Sequence, residues 1–286
     1  VTSIGDDTFC SCNSLTSITI PDSVKSIGVG AFESCYDLTS ITIPDSVTSI
    51  GDWAFYYCES LTSITIPDSV TSIGYYAFYY CESLTSINVN ANNKYYSSVD
   101  GVLFNKNKTE LIQYPIGNKR NSYTIPDSVT SIGDYAFANC KALTKVYCRA
   151  QVPPRIEPGY GLTEFDNGTN VVFKYYDTTS QTYKVISGLK IFVPRGCANV
   201  YKTDPQWKEY AKYIYEYYDY VDLGLRNSSG QKVLFATCNV GANTPEEFGW
   251  VFGWGDSTGY TCQEYENIEL GDNEALNLSA PFDWDV

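Results

Sequence analysis

The 286-residue chain contains no histidine and no methionine. Without histidine it lacks the usual general base, the partner that activates Ser and Cys nucleophiles, and the commonest zinc ligand. Any catalysis would have to rest on carboxylates, Lys or Tyr. Basic residues are also scarce: 19 Lys and Arg stand against 33 Asp and Glu, for a net charge of -14. Nucleic acid and anionic membrane both need a basic footprint, so neither is expected as a partner. No run approaches about 18 consecutive apolar residues, so membrane insertion is not expected. No signal peptide is legible. The chain opens at "VTSIG", inside a phrase it repeats later, so the natural protein is expected to begin upstream.

What is present is repetition and tyrosine. The apolar fraction, 43%, is ordinary for a folded protein, whereas 26 tyrosines are an excess. The phrase "SLTSITIPDSVTSIG" recurs with a period of 23: Leu15, Leu38, Leu61 and Leu84 align, as do Ile18, Ile41, Ile64 and Ile87, and Phe9, Phe32, Phe55 and Phe78. Within one copy, alternation predicts a short strand with Ile64 and Ile66 on one face and Ser63 and Thr65 on the other. Pro67 and Asp68 mark a turn, and Val70, Ile73, Ala77 and Phe78 supply further inward side chains. One copy cannot bury its own face, so the copies must stack with their strands in parallel.

The beat breaks after Cys81, and "VDG" and "NKNK" flank short apolar runs, predicting a β-hairpin inserted over 90–122. The phrase resumes and ends near Val146. Residues 150–214 read as an α+β cap, with strands at "VVFKYY" and "LKIFVP" and one short helix N-capped by Asp204, with Trp207, Ala211 and Ile214 on one side. Residues 215–286 read as a small β-rich tail domain, expected to be truncated. The fold class expected is thus a β-dominated solenoid (1–149) with a hairpin insertion, an α+β C-terminal cap and this tail.

"LTSITIPDSVTSIGDYAFANC" resembles the BspA-like leucine-rich repeats of bacterial surface proteins. The cap, through "IFVPRG", Tyr201 and Trp207, is similar to the terminal segment of such proteins in gut Bacteroidetes. The tail, through "VDLGL", "ATCNVGA", "PEEFG" and "FGWG", is similar to the opening of a C-type-lectin-like surface domain, with Phe235 where that family usually has Trp. The resemblance implies a secreted or cell-surface protein that binds macromolecules of a host or neighbouring cell. It brings no catalytic residues and no cofactor.

Several rows invite chemistry. Cys12, Cys35, Cys58, Cys81 and Cys140 share one repeat position, and buried thiols packed as small hydrophobes are expected there rather than disulfides or zinc. Asp22, Asp45, Asp68 and Asp127 form a row of turn carboxylates, one per turn, too few for calcium. The outward Ser17, Thr19 and their equivalents read as a solvated sheet face. Asn107, Asn167, Asn227 and Asn277 begin N-x-[ST] sequons, which a bacterial source would leave unmodified.

The aromatics differ, because they vary between copies while Phe and Cys do not. Trp53, Tyr56, Tyr57, Tyr75, Tyr76, Tyr79 and Tyr80 gather on two adjacent turns. They form either a contact surface or a mutual stack that covers the outer side of the solenoid. The leading expectation is a non-enzymatic, monomeric adhesion module that binds a protein or glycan through these seven residues. The alternative is carbohydrate recognition by the tail, through Trp250, Trp254 and Tyr260. A carboxylate enzyme based on Glu246 and Glu247 is a third and weaker reading.

Overall fold

The computed structural model describes residues 1–157 and 171–217 in full, and the strand backbone at 220–226, 232–236 and 253–254. It divides into two compact units, Val1–Tyr215 and Glu216–Val286. In the first unit each regular turn supplies a two-residue strand and a longer one: β1 (Ser3–Ile4) and β2 (Ser17–Thr19), β3 (Ser26–Ile27) and β4 (Ser40–Thr42), β5 (Ser49–Ile50) and β6 (Ser63–Ile66), β7 (Ser72–Ile73) and β8 (Ser86–Val89). The short strands pair in parallel in the order β1-β3-β5-β7, with Ser26 opposite Ser49 and Ile27 opposite Ile50. The long strands pair in the same sense, Ile64 opposite Ile87. Ile64 and Ile66 are buried while Ser63 and Thr65 are exposed, as alternation predicts. This is a solenoid of stacked repeats with few helical residues.

The side opposite the long strands is also a ladder. Alternate backbone amides donate to the next turn, as in Trp53 N to Tyr75 O (2.9 Å), Phe55 N to Ala77 O (2.9 Å) and Tyr57 N to Tyr79 O (3.1 Å). To present them, two positions per turn adopt left-handed backbone. Asp7, Gly30, Trp53, Tyr76 and Tyr135 occupy the first and Ser11, Ser34, Tyr57, Tyr80 and Asn139 the second, all with φ between 52° and 59°. Such backbone costs an L-residue roughly 1–2 kcal/mol, offset here by the interturn bonds it permits. Glycine is required two residues before the first of these positions. A Cβ on Gly51 would lie 2.5 Å from the carbonyl carbon of Gly28, so adjacent turns touch backbone to backbone.

Inside, Phe9, Phe32, Phe55 and Phe78 stack in a column with centroids 5.2, 5.4 and 5.8 Å apart. Three residues on, the Cys35, Cys58 and Cys81 thiols donate to the carbonyls of Phe9, Phe32 and Phe55 at 3.1, 3.2 and 3.1 Å. These cysteines and Cys140 are free and buried, while Cys12 is exposed in the first turn. Burial pushes the thiols up, Cys35 to about 11 and Cys81 to about 12. The turn carboxylates Asp22 and Asp68 are exposed.

The inserted segment forms three strands, β9 (Tyr96–Val99), β10 (Val102–Asn105) and β11 (Glu110–Gln113), antiparallel to one another in sequence order. It is a partition rather than an excursion. On β10, Leu103 packs into the core of the first four turns while Val102 and Phe104 belong to a second core, the period of two serving both sides. β11 rejoins the solenoid by pairing in parallel with β13 (Ser131–Ile132), after β12 (Ser122–Ile125). Tyr114 then takes the place of the repeat's Phe and packs on Phe137 at 5.4 Å.

β14 (Lys145–Cys148) pairs with β12, and β15 (Arg155–Ile156) with β13. The cap follows as a hairpin, β16 (Lys174–Asp177) and β17 (Thr182–Val185), then β18 (Lys190–Pro194), which extends the long-strand sheet beside β14. Phe173 continues the aromatic column at 5.1 Å from Phe137 and meets Trp207. The single helix expected here is two: α1 (Ala198–Thr203) and a 3-10 turn (Lys208–Tyr213). Pro205 disfavours helical backbone at Asp204, which is extended and ends α1. Trp207 and Ile214 are buried as expected, joined by Tyr210. β19 (Ile214–Tyr217) lies beside β18.

The second unit contains a three-stranded sheet, β20 (Tyr220–Arg226), β21 (Lys232–Ala236) and β22 (Gly253–Trp254), paired antiparallel. Trp250, Tyr260, Glu246 and Glu247 lie outside the described residues.

Candidate functional site

The seven aromatics singled out in the sequence come together. Trp53 stacks on Tyr76 (6.3 Å, 10°), Tyr57 on Tyr80 (4.5 Å, 9°), and Tyr56 meets Tyr79 at 5.9 Å. Each pair joins equivalent places on consecutive turns, so the 23-residue period itself builds the stacks. Their depths differ. Tyr76 and Tyr79 are 9% and 2% exposed, Trp53, Tyr56, Tyr57 and Tyr80 are half-buried, and Tyr75 is 53% exposed. Of the two arrangements open to these residues, a contact surface or a mutual stack, Tyr76 and Tyr79 take the stacked and buried one.

The reason lies in the interruption. Phe137 stands six residues after Ser131, whereas Tyr114 stands only four after its partner Glu110, and Pro115 follows where the looped ladder would run. The turn of β11 therefore lacks the loop that faces this side. Tyr76 and Tyr79 fill the space, packing on Tyr135 at 5.3 and 4.9 Å. Tyr135 in turn meets Tyr183 of the cap hairpin. The polar ends are satisfied: Tyr76 donates to Asp134 (2.5 Å), and Asn139 donates to the Tyr79 hydroxyl (3.2 Å). Burial raises the Tyr56 and Tyr79 phenols well above the usual range, and burial followed by the neighbouring Tyr80 pushes Tyr57 up to about 12. These phenols are neutral donors at any physiological pH.

The space left unfilled is a cleft of about 560 Å³ beside this cluster. It is lined by β7 with Tyr75 and Tyr76, by Gly133 and Asp134, by Ile112 and Gln113, and by Tyr95 and Tyr96 with Glu110. Asn93, fully buried, sets the last pair. Its side chain donates to the carbonyls of Pro67 (2.7 Å) and Val70 (3.0 Å) and accepts from the amides of Tyr95 and Tyr96, both 2.8 Å. Tyr96 then accepts a 2.9 Å bond from Ile73 N through its hydroxyl, on the edge of β7 where another strand would otherwise pair. Sequence reasoning missed Tyr95, Tyr96, Glu110, Asp134 and Glu157. The legible signal was the break in the beat directly after the aromatic turns.

Elsewhere, Asp7, Cys10 and Glu33 bring ligand atoms within 4.8 Å of one another. Three donors from partly exposed turns fall short of a structural zinc shell.

The BspA type leucine-rich repeat region model matches six copies, over residues 2–120 and 117–153. The chain belongs to the BspA-type leucine-rich repeat family. Among solved structures, a leucine-rich cell surface protein from Faecalibacterium prausnitzii is 27% identical with a TM-score of 0.50, over 76% of this chain and 62% of that one. A leucine-rich repeat protein from Eubacterium ventriosum is 26% identical (TM-score 0.45; 68% and 63% covered), and the pneumococcal vaccine antigen PcpA is 21% identical (TM-score 0.43; 70% and 66% covered). The chain spans less than two thirds of the length of each of these proteins. No curated protein matches it. Among the described residues, no helix of this BspA-type chain is long and apolar enough to cross a membrane.

Proposed function

We propose that this BspA-type chain is a non-enzymatic adhesion module of a bacterial cell surface, holding a macromolecule of a host or neighbouring cell through the rim of its tyrosine cluster. One observation carries the reading. Trp53, Tyr57 and Tyr80 sit at left-handed backbone positions where other turns use Asp7, Gly30, Ser11 and Ser34. The ladder does not ask for an aromatic there, and left-handed backbone disfavours bulky residues. Tyr76 and Tyr135 at the same kind of place are buried in packing, whereas Trp53, Tyr57 and Tyr80 keep part of their rings exposed, which favours a role in contact. With Tyr75 they offer rigid amphipathic area of the kind enriched at the centres of binding interfaces. Family membership and a cell-surface relative support the setting. The absence of histidine, with no catalytic constellation among the described residues, supports a binding role.

The test is a panel of host-matrix proteins run beside a glycan array with the full chain. A protein or glycan partner whose binding is lost on replacing Trp53 and Tyr57 supports the reading. A partner that needs only residues beyond 216 would transfer recognition to the tail.

A further inference from the structure

The cleft beside the cluster has a chemistry of its own. Tyr75 and Tyr95 stand at its edges, 53% and 51% exposed, with Tyr76 and Tyr96 deeper. Glu110, Asp134 and Glu157 contribute carboxylates, and no Lys or Arg lines it among the described residues. Its volume falls in the range of specific small-ligand sites. Four aromatic rings and three carboxylates around one concavity form a receptor for a cation with a flat, stackable head. A guanidinium satisfies both halves: it stacks on tyrosine faces and forks onto carboxylates, which an ammonium does less well, while a neutral sugar can stack and hydrogen-bond there but brings no charge to set against the carboxylates.

We infer that the cleft between β7, the Tyr95–Tyr96 pair and Asp134 receives an arginine side chain from a polypeptide partner. The inference rests on the reading that this side of the solenoid meets a macromolecule, and it names the partner's anchor. Burial, followed by the neighbouring Glu157, raises Glu110 above the usual carboxylate range. A carboxylate raised by burial and by a neighbouring carboxylate is relieved by a cation set against it. The Arg155 guanidinium, 3.2 Å from Glu157, leaves Glu110 to the incoming group. The net charge of -14 draws a basic segment toward the cleft from a distance.

The probe is a flexible Gly/Ser peptide with a single Arg, titrated against the full chain at low salt, beside matched peptides carrying Lys or norleucine. The Arg peptide is expected to bind, the Lys peptide several-fold more weakly, and the norleucine peptide not at all. Glu110→Gln and Tyr95→Ser should each weaken the Arg peptide about tenfold, while Asp45→Asn, the same charge change on a remote turn, should not. Unfolding midpoints of all variants, measured in the same buffer, separate loss of site from loss of fold. Equal binding of Arg and norleucine peptides, binding unaffected by Glu110→Gln, or capture of neutral oligosaccharides by the same residues would each overturn the inference. A macromolecular partner lost with Tyr57 but indifferent to Glu110 would overturn it and leave the adhesion reading standing. An Arg peptide that binds the cleft when no macromolecular partner uses the cluster would overturn the adhesion reading alone.

Discussion

The Tyr76 hydroxyl donates a 2.5 Å hydrogen bond to the Asp134 carboxylate, although 58 residues separate them. Regular neighbours in this solenoid are 23 apart, as Ile64 and Ile87 are. The bond closes the side of the molecule on which the β11 turn has no loop, and the tyrosines of the fourth turn reach across to the next complete one. An aromatic interior and an acidic cleft arise from the same missing segment.

The two depths within the cluster should separate in stability measurements. Tyr79→Ser removes a buried ring from Tyr56, Tyr80 and Tyr135, and is expected to cost about 3 kcal/mol. Tyr75→Ser, at an exposed place, should stay within about 0.5 kcal/mol. Urea unfolding of both variants checks this. Equal effects would mean that the burial order is wrong.

Gly51→Ala tests the backbone contact between turns. Its Cβ would stand 2.5 to 2.6 Å from the backbone of Gly28 and Val29, where no flexible side-chain end can move aside. A loss of at least about 3 kcal/mol is expected. Gly196→Ala is the control for a glycine with open space around it: nothing lies within 4 Å of its would-be Cβ, and only its positive φ of 77° resists the change. It should cost about 1 kcal/mol. Circular dichroism melts of the two variants should therefore differ widely.

The thiol ladder predicts alkaline sensitivity. Folded Cys35 and Cys81 titrate near 11 and 12, against an ordinary value of 9. Below pH 9 the thiols are neutral in both states and contribute no slope. Above it the unfolded chain ionises first and binds fewer protons than the native one, so stability falls as pH rises from 9 through 11 and 12. Each such group adds up to about 1.4 kcal/mol per pH unit within its window. Denaturant midpoints should be level from pH 6 to 8.5 and fall above 9. Burial also raises the cluster phenols, Tyr57 up to about 12, and these add to the fall at its alkaline end. Cys35→Ala with Cys81→Ala should therefore make the fall shallower between about pH 9 and 10, where thiols ionise ahead of phenols in the unfolded chain, whereas an unchanged slope there would remove these two thiols from its cause.

The repeat was legible because its physics is local and periodic. Alternation separates Ile64 from Thr65, and a fixed interval aligns Phe32 with Phe55 and Cys35 with Cys58. What escaped was set by absence. Tyr114 in the place of a Phe, with two residues too few before it, fixes which tyrosines are buried, and no pattern inside residues 75–80 carries that information. Splitting of the cap helix was legible in Pro205 and was missed because the apolar spacing of Trp207, Ala211 and Ile214 fits one helix equally well. The cleft needed Asn93, whose four bonds join residues from two turns.

The central claim is that the rim of the cluster is kept for contact and its interior for packing. Its most direct measurement is affinity for a partner found on the panel, taken together with the melting temperature, for the variant combining Trp53→Ser, Tyr57→Ser and Tyr75→Ser. The expected result is a loss of binding of at least about 2 kcal/mol, some thirtyfold, while the melting temperature falls by only a few degrees. Retained binding with a collapsed melting temperature would mean that the rim too is packing, and would contradict the claim.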